Sequence, residues 1–501
     1  MEIPWASAVV MVPVAGALVC GVVPARRAVI VGILTSVVTV GVVAGLVRHL
    51  LDAGAFVEPL GGWGAPTGIE LYVDGFGALM LAVVAVVGFC VSLFSVGYFR
   101  GRSDGEEAGS HHEGFFWALW LVVWASLNGI FVSADLFNLY VCLEVMGLGS
   151  VALVALAGPS ALRAAMRYLL VTLVASLLYL LGVALLYGGW GIVDIQELGS
   201  VVEASMASEV ALGLMSLGLV LKTALVPLHF WLPKAHANAP APVSAVLSAL
   251  VVKASLYILV RLWLDVFAVV DTETAALLLA GLGAVAIFWG SLQALRQERL
   301  KMLVAYSTVA QIGYLFVAFA PASVDAGADV AWHGVAYFAV AHGCAKGAMF
   351  LAAGAITSAL GSDRFAEMRG RGIEVAVPML AFAIAGIGLM GLPPSGGYVA
   401  KWFFITAAAR AGMPLVALVV SVGGLLAAVY VFKVLYFSFA SHPEGGDGEK
   451  SRIQRIPWTM VVAALVLASV SLALGLVTAF PLEVVDVGVP FGQSLEPGLQ
   501  P

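Results

Sequence analysis

The chain is dominated by apolar runs long enough to cross a lipid bilayer. A transmembrane helix needs roughly 20 apolar residues, and such runs recur along all 501 positions without a polar block large enough for a second domain. Hydrophobic residues make up 62% of the chain and charged residues 11%, against roughly a half and a quarter in soluble domains. The pattern excludes a water-soluble protein and predicts one all-α, polytopic membrane domain over residues 1–501.

Fourteen runs qualify as membrane spans. The first follows a Met-Glu-Ile-Pro start that lacks a basic leader, so we expect it to be retained rather than removed as a signal peptide. The predicted spans are 4–24, 28–47, 75–98, 115–133, 136–157, 168–188, 210–230, 241–261, 273–292, 302–321, 331–357, 375–407, 413–438 and 457–479.

The basic residues alternate between the connections of these spans. The even-numbered connections hold only Arg48, Arg261 and Arg410. Because cytoplasmic loops retain Lys and Arg during insertion, the asymmetry predicts that both termini lie outside the cell. The odd-numbered connections hold sixteen basic residues: Arg26, Arg27, Arg100, Arg102, Arg163, Arg167, Lys234, Arg296, Arg299, Lys301, Arg364, Arg369, Arg371, Lys450, Arg452 and Arg455.

The net charge and the spacing of the cysteines argue against a nucleic-acid partner, a disulfide framework and a metal site. The formal net charge is −6, and no nucleic-acid signature is visible. The four cysteines lie apart in apolar runs, which predicts neither a disulfide framework nor a CxxC metal or iron-sulfur site. We therefore expect no bound cofactor and no metal centre.

The other five basic residues fall inside predicted spans, and Glu144 joins them near the middle of the fifth. A charge at the bilayer centre costs about 2.5 to 3.5 kcal/mol even on lenient scales, so such residues normally face the bundle or a wet cavity and pair with one another. The five are Lys222, Lys253, Lys346, Lys401 and Lys433.

Two interpretations of these charges stay open. Lys433 lies near a loop, where a lysine stem can snorkel to the surface, and Glu144 could form a static ion pair with one lysine. Alternatively, the charges pass protons, because a lysine in an apolar bundle holds its proton less tightly and a nearby carboxylate restores that hold. Histidines titrate near neutrality, so His229, His236, His333 and His342 are candidate links. His342 lies four residues before Lys346 and therefore on the same helical face.

Helix-breaking residues flank these lysines in both halves of the chain. The segment 219–260 reads LVLKTALVPLHFWLPKAHANAPAPVSAVLSALVVKASLYILV, and the segment 386–404 reads GIGLMGLPPSGGYVAKWFF. Proline removes a backbone donor, and interrupted segments in both halves of a transporter indicate an ion site and an internal repeat. We predict broken helices 7 and 12; proline kinks of purely packing origin are the alternative.

Five segments carry a family resemblance. The stretches 127–147, 225–254, 300–314, 342–356 and 391–402 resemble the antiporter-like subunits shared by respiratory complex I, membrane-bound hydrogenases and Mrp-type multisubunit cation/proton antiporters. The resemblance covers about residues 60 to 440. The stretch DLFNLYVCLEVM, and a lysine rather than a glutamate at position 401, look most like the D subunit of Mrp-type antiporters.

The resemblance implies an arrangement for the spans. Helices 1–3 lie within 1–114, and two inverted five-helix repeats follow, helices 4–8 within 115–261 and helices 9–13 within 273–438. Helix 14 spans 457–479. The stretch Arg299-Leu300-Lys301-Met302 departs from the family pattern ahead of helix 10, and we interpret it as a loop variation.

The resemblance also implies roles for the buried charges. Glu144 would pair with Lys222, Lys253 and the His342/Lys346 region would form the central link, and Lys401 would deliver the proton to the opposite side. With Glu144 already engaged, the chain lacks a free deep carboxylate for sodium. We therefore favour protons as the ion that this chain conducts.

Three functions remain as alternatives. The first is a proton-conducting subunit of a multisubunit Na⁺/H⁺ antiporter in a bacterial cell membrane, which is a transporter subunit rather than an enzyme and needs other membrane subunits. The second is the same subunit chemistry inside a redox-driven complex I-like or hydrogenase complex. The third is a structural scaffold whose charges are static.

Overall fold

Long helices account for most of the molecule, as the apolar runs predict. The computed structural model describes residues 3–65, 68–100, 107–270, 272–440 and 453–488. Within these residues, twelve helices are long and apolar enough to cross a membrane. A predominantly helical, polytopic membrane fold is thereby confirmed.

Twenty-one α-helices and one hairpin make up the described chain. The antiparallel hairpin pairs β1 (Phe56–Pro59) with β2 (Glu70–Val73). The first eleven helices are α1 (Trp5–Val22), α2 (Ala25–Ala53), α3 (Gly75–Arg100), α4 (Glu107–Val132), α5 (Leu136–Ala155), α6 (Pro159–Trp190), α7 (Ile195–Val201), α8 (Met206–Thr223), α9 (Leu232–Asn238), α10 (Ala241–Val246) and α11 (Val252–Arg261). The other ten are α12 (Glu273–Arg296), α13 (Leu300–Val317), α14 (Phe319–Ala322), α15 (Asp325–Leu360), α16 (Phe365–Met368), α17 (Ala376–Met390), α18 (Gly396–Arg410), α19 (Pro414–Phe439), α20 (Trp458–Ala473) and α21 (Ala479–Val485).

Several helices are longer than the spans predicted for them. Helix α6 begins at Pro159 instead of 168, α4 at Glu107 instead of 115, and α15 runs over Asp325–Leu360 instead of 331–357. An apolar run measures only the length inside the hydrocarbon, whereas polar turns continue a helix beyond it. Predicted helix 14 corresponds to the short apolar helix α20, and the count of fourteen spans stays a prediction.

Both predicted helix breaks are present. Helix α8 ends at Thr223, Ala224 adopts a left-handed conformation with φ 62°, and a 3₁₀ turn at Leu228–Trp231 precedes α9. Helix α17 ends in the same way, with Gly391 at φ 78°. Helix α18 then starts with Ser395 as its N-cap residue, whose hydroxyl accepts a hydrogen bond from the following turn.

The eighth span has an irregularity that we did not predict. Its helices α10 and α11 are joined by a π-helical turn at Leu247–Val251, and a second π turn follows at Leu262–Val266. A π turn lets one backbone carbonyl escape the regular helical ladder, and such turns are frequent at functional sites. Lys253 is the second residue after the first of them.

Two of the three isolated backbone bridges in the described chain join connections between helices. Asp135, before α5, pairs with Asp194, before α7; Arg299, before α13, pairs with Arg364, before α16. One bridge lies in each predicted five-helix repeat, joining equivalent connections. Matching bridges are what we would expect if the two five-helix segments are structural repeats. The inverted repeats themselves remain a prediction.

Some residues assigned to loops from their charge are buried in the structure. Arg261 was predicted in an outer connection, but it is 5% exposed and lies in α11, with ion pairs to Asp74 and, at 2.8 Å, to Asp265. Lys301 is also buried, and its Nζ donates to Ala239 O at 2.6 Å. Arg371 is buried beside Glu374. Counting basic residues along the chain does not reveal that a residue is buried next to a partner from a distant segment.

The buried Arg261 ion pairs should be important for stability. We expect Arg261→Met to lower the free energy of unfolding by about 3 to 5 kcal/mol, because it strands two carboxylates without their cation. Thermal unfolding of the purified protein in detergent measures the change. The control is Arg48→Met, since Arg48 pairs with Asp52 on the surface and such pairs contribute about 0 to 1 kcal/mol. Equal melting temperatures for the two variants would contradict this ranking.

The carboxyls of the first bridge should make stability depend on pH. Burial raises the pKa of Asp135 and of Asp194, although each accepts backbone hydrogen bonds as an N-cap residue. A raised pKa in the folded state means that ionisation destabilises the fold, so stability should rise as pH falls from neutrality toward the unfolded value of about 3.9.

Replacing both carboxyls with amides tests this dependence. Asparagine is also a good N-cap residue, so Asp135→Asn/Asp194→Asn should melt higher than wild type near pH 7 and respond less to acidification. Melting curves recorded across this pH range provide the measurement. A variant that follows the wild-type pH profile would show that these groups do not produce it.

Candidate functional site

Four of the lysines predicted to lie deep in the membrane are buried inside the helix bundle. They belong to α8, α11, α15 and α18, of which α8 contacts α11 and α15 contacts both the π turn before α11 and α18. We call these four the lysine row. Its members, with their exposed fractions, are Lys222 (5%), Lys253 (1%), Lys346 (0%) and Lys401 (5%).

The first lysine lies at the break after α8. Its Nζ donates to Thr172 Oγ1 on α6 at 2.7 Å, and Glu144 Oε1 on α5 lies 3.9 Å away. The structure therefore brings Glu144 and Lys222 together, as the resemblance implies. The closer contact is nevertheless a neutral hydroxyl, which the sequence did not reveal.

A small cavity extends from Lys222 toward the next helix. It is lined by Tyr168, Thr172 and Trp231 on one side and by Ser255 of α11 on the other. Its volume, measured as space open to the centre of a water molecule, is about 10 Å³, which is close to the minimum for one water. The Ser255 hydroxyl has no hydrogen-bond partner among the described protein atoms, so one water could link it to Lys222.

The two central lysines meet at helix α13. Lys253 Nζ donates to Ser248 O in the π turn at 2.5 Å, and the Ser248 and Thr308 hydroxyls lie 2.8 Å apart. Lys346 Nζ donates to Val304 O at 3.1 Å and also to the Ser307 hydroxyl. Ser307 and Thr308 are neighbours on α13, so the hydroxyl that binds Lys346 lies next in sequence to the one that contacts Ser248, whose carbonyl binds Lys253.

Two buried histidines lie in the same region with unused ring nitrogens. His236 is fully buried and stacks on Phe350 with ring centroids 4.7 Å apart, and His342 stacks on Phe338 at 5.3 Å. None of their ring nitrogens has a hydrogen-bond partner among the described protein atoms. Buried polar groups are normally hydrogen-bonded, so these imidazoles are places where water would bind.

The last lysine of the row lies at the second break. Lys401 Nζ donates to Leu389 O at 2.7 Å and to Met390 O at 3.2 Å, and thus caps the end of α17. The ring of Tyr314 on α13 lies 4.3 Å from the same nitrogen. Gln311, one turn earlier on α13, donates to Leu389 O and to the Tyr430 hydroxyl of α19.

Three further candidates have partners outside the row. Lys433 is half-buried and donates to Leu295 O and Gln297 O at 2.7 Å each, which caps the end of α12. His229 accepts a hydrogen bond from the indole of Trp289 at 3.2 Å. The Nε2 of His333 lies 2.6 Å from Asp486 Oδ1, beside the short helix α21.

Counter-ions are scarce along the row. Among the described residues, Lys222 has a carboxylate within 4 Å, and the other three lysines have none. Their partners are backbone carbonyls and hydroxyls instead. The hydroxyls of Thr172, Ser307 and Thr308 could have been suspected from sequence as polar residues within apolar spans. No three His, Cys, Asp or Glu side chains in the described chain lie close enough to hold a metal ion.

These features define a polytopic helical membrane protein with two interrupted helices and a row of four buried lysines, of which Lys222 alone has a carboxylate within 4 Å among the described residues. The chain belongs to the NADH:quinone oxidoreductase/Mrp antiporter transmembrane family, whose pattern matches residues 133–427. Residues 64–106 match a second family, described as NADH-Ubiquinone oxidoreductase (complex I), chain 5 N-terminus. Both matches agree with the resemblance inferred from sequence motifs.

Similar proteins include components of two kinds of complex. The N subunit of the NADH-quinone oxidoreductase of Desulforudis audaxviator is 33% identical over 91% of each chain. The D subunit of the Na(+)/H(+) antiporter of Alkalihalophilus pseudofirmus is 30% identical over 77% of this chain and 76% of its own length. A protein in the structure of the Mrp complex from Dietzia sp. superimposes with a TM-score of 0.86 and 26% identity over 97% of both chains.

The position of Lys401 should depend on the glycine beside it. A Cβ atom at Gly391 would lie 2.6 Å from Lys401 Cδ, whereas one at Gly412 would meet nothing within 4 Å, although both glycines have positive φ. Gly412→Ala should therefore cost only the backbone strain of about 1 to 2 kcal/mol. Gly391→Ala should cost more, because the lysine must also move away from its carbonyls.

Apparent melting temperatures of the two purified variants measure this difference. Since both replacements create an alanine in the left-handed region, the comparison isolates the contact with Lys401. A Gly391→Ala protein as stable as Gly412→Ala would show that the lysine accommodates a methyl group without loss.

Proposed function

We propose that this chain is the proton-conducting subunit of a multisubunit Na⁺/H⁺, or monovalent cation/proton, antiporter. Its relatives are named as subunits of multisubunit membrane complexes, and other membrane subunits are its partners. The proposed location is a bacterial inner membrane, with both termini outside. Proton flow through this chain would be coupled to cation export through the other subunits.

The observation that carries the proposal is the shortage of counter-ions along the lysine row. A fixed ammonium ion inside a membrane protein is normally paired, because an unpaired buried charge costs several kcal/mol. A group in this situation removes the cost by giving up its proton. A static scaffold would be expected to pair its cations, whereas this row suits sites that alternate between charged and neutral forms.

The contacts suggest an order for the transfers. Glu144 and Lys222 form the first pair, and the cavity would hold a water between Lys222 and Ser255 of α11, the helix that also carries Lys253. Hydroxyl groups both donate and accept hydrogen bonds, so Ser248 and Thr308 can pass a proton on toward Ser307 and Lys346.

The second part of the route leads from Lys346 to Lys401. His342 lies one helical turn before Lys346, and its free ring nitrogens would bind water that continues the chain. His236, also buried with free ring nitrogens, is a side branch. The other sequence candidates, Lys433, His229 and His333, have separate partners and are not assigned to this route.

The antiporter assignment rests on the kind of relative and on the residue at position 401. Relatives named as the D subunit of Na(+)/H(+) antiporters align with more than three quarters of the chain, and the Mrp complex protein matches its fold along almost its whole length. Lys401, rather than a glutamate, at the second break also favours an Mrp-type subunit. The route ends on that lysine.

A second candidate is a proton-pumping subunit of a redox-driven complex. The observation that favours it is the 33% identity to the N subunit of an NADH-quinone oxidoreductase over 91% of both chains. The row would then work in the same way, but electron transfer in other subunits would drive it. The two candidates differ in what energises the protons and not in the residues that conduct them.

Transport by the whole complex tests the proposal. Everted membrane vesicles containing every subunit of the gene cluster should acidify on energisation and release protons when sodium or potassium is added. We expect Glu144→Gln, Lys222→Met, Lys253→Met, Lys346→Met and Lys401→Met to lower this exchange at least about tenfold per assembled complex, as loss of one proton-transfer group typically does.

The control is Lys433→Met, which removes a lysine that also caps a helix end but lies outside the row. It should transport like wild type once assembly is matched by quantitative blotting. Normal exchange in the row variants would support the scaffold interpretation. Absent exchange in wild type, together with NADH-driven proton uptake that the row variants lose, would favour the redox complex.

A further inference from the structure

An open pocket lies on the surface where α6 begins and α9 ends, and none of its lining residues belongs to the lysine row. Its volume is about 450 Å³, and its lining includes Arg163 and Arg167 of α6 and Lys234 and Asn238 of α9. The three basic side chains are exposed. None of the described residues that line the pocket is acidic.

The positive charge of this pocket is not neutralised by the protein. Within the described part of the chain, Arg163, Arg167 and Lys234 have no carboxylate within 4 Å, whereas other exposed arginines such as Arg48 and Arg299 do. The first turn of α6 adds the positive end of a helix dipole at the same place. These cations therefore suit a negatively charged group from outside the chain.

The arginines continue directly into an apolar surface along α6. Helix α6 has 32 residues and is about 48 Å long, so its first turns extend beyond a hydrocarbon core of about 30 Å. The residues that follow on the same face, in steps of three or four, are Leu170, Val174, Leu177 and Leu181, which are 60, 52, 61 and 52% exposed.

The other wall of the pocket, formed by α9 and the turn before it, also combines a basic residue with an exposed apolar one. Phe230, 56% exposed, precedes Lys234 by one helical turn. Both walls of the pocket therefore present a cation at the end of the bundle and an exposed apolar side chain next to it. This arrangement matches a molecule with an anionic head and a hydrocarbon tail.

We infer that this pocket binds the phosphate headgroup of an anionic phospholipid whose acyl chains lie along the exposed face of α6. Arg163 and Arg167 hold the phosphate through their guanidinium groups, which bind it with two parallel hydrogen bonds. Lys234 supplies a third positive charge, and Asn238 can donate to a headgroup hydroxyl. The inference does not depend on how the lysine row works.

Native mass spectrometry of the purified, fully assembled complex can measure this binding. The complex is titrated with phosphatidylglycerol, with phosphatidylcholine of the same acyl chains, and with inorganic phosphate alone. Wild type should bind phosphatidylglycerol more tightly than phosphatidylcholine. Arg163→Gln/Arg167→Gln/Lys234→Gln should weaken the binding of phosphatidylglycerol about a hundredfold, on the usual contribution of each basic residue to anionic lipid binding.

A second triple variant controls for net charge. Arg26→Gln/Arg27→Gln/Arg455→Gln removes three exposed basic residues, two from the first turn of α2 and one from the segment before α20, and should bind phosphatidylglycerol like wild type. Equal affinity for both phospholipids, equal losses in the two triple variants, or competition by phosphate at the same concentration as lipid would each overturn the inference. Dissociation of a partner subunit from the pocket variant, with lipid binding unchanged, would overturn it in favour of a protein interface.

Discussion

Backbone carbonyl groups inside a membrane need hydrogen-bond donors, and this requirement shapes the centre of the molecule. Interrupting a helix leaves carbonyls without their regular partners, at a depth where water is scarce. Here, lysine ammonium groups donate to such carbonyls: Lys401 to those at the end of α17, Lys433 to those at the end of α12, and Lys253 to Ser248 O in the π turn. Lys346 donates instead to Val304 O within the continuous helix α13. An ammonium group has three N–H donors, so one carbonyl bond leaves others for hydroxyls and water. The same hydrogen bonds thus stabilise the irregular backbone and fix the positions of the lysine ammonium groups.

The two ends of the row are built differently despite their common origin in a helix break. Lys222 lies at the end of α8 and contacts a hydroxyl and a nearby carboxylate, whereas Lys401 follows α17 and contacts carbonyls and an aromatic ring. The Glu144 carboxylate thus lies beside the ammonium group of Lys222, whereas the negative end of the α17 dipole faces that of Lys401. The two ends of the row are therefore chemically different sites, although each lies at a helix break.

Much of this could be predicted from sequence because it depends on local pattern. Apolar runs predicted the helical membrane fold, prolines and glycines predicted the breaks, and lysines inside apolar runs predicted the row. What could not be predicted depends on contacts between distant segments. The bond between Ser248 and Thr308 joins positions 60 residues apart, and the ion pair of Arg261 with Asp74 joins positions 187 apart. The contact of His333 was missed for the same reason, because Asp486 comes from the far end of the chain.

The central position of α15 also affects how the protein is made. Every residue in the apolar window of this helix is buried against other protein segments, and it is the least apolar of the twelve spans. It carries His342 and Lys346. The helices in contact with it are α3, α10, α13, α14, α17, α18, α20 and α21, of which the last four follow it in the chain. During synthesis, α15 therefore leaves the ribosome before its final neighbours exist, with a charged side chain and little affinity for lipid. We therefore expect the later helices α17, α18 and α20 to stabilise α15 in the bilayer, because they supply protein contacts that lipid cannot replace.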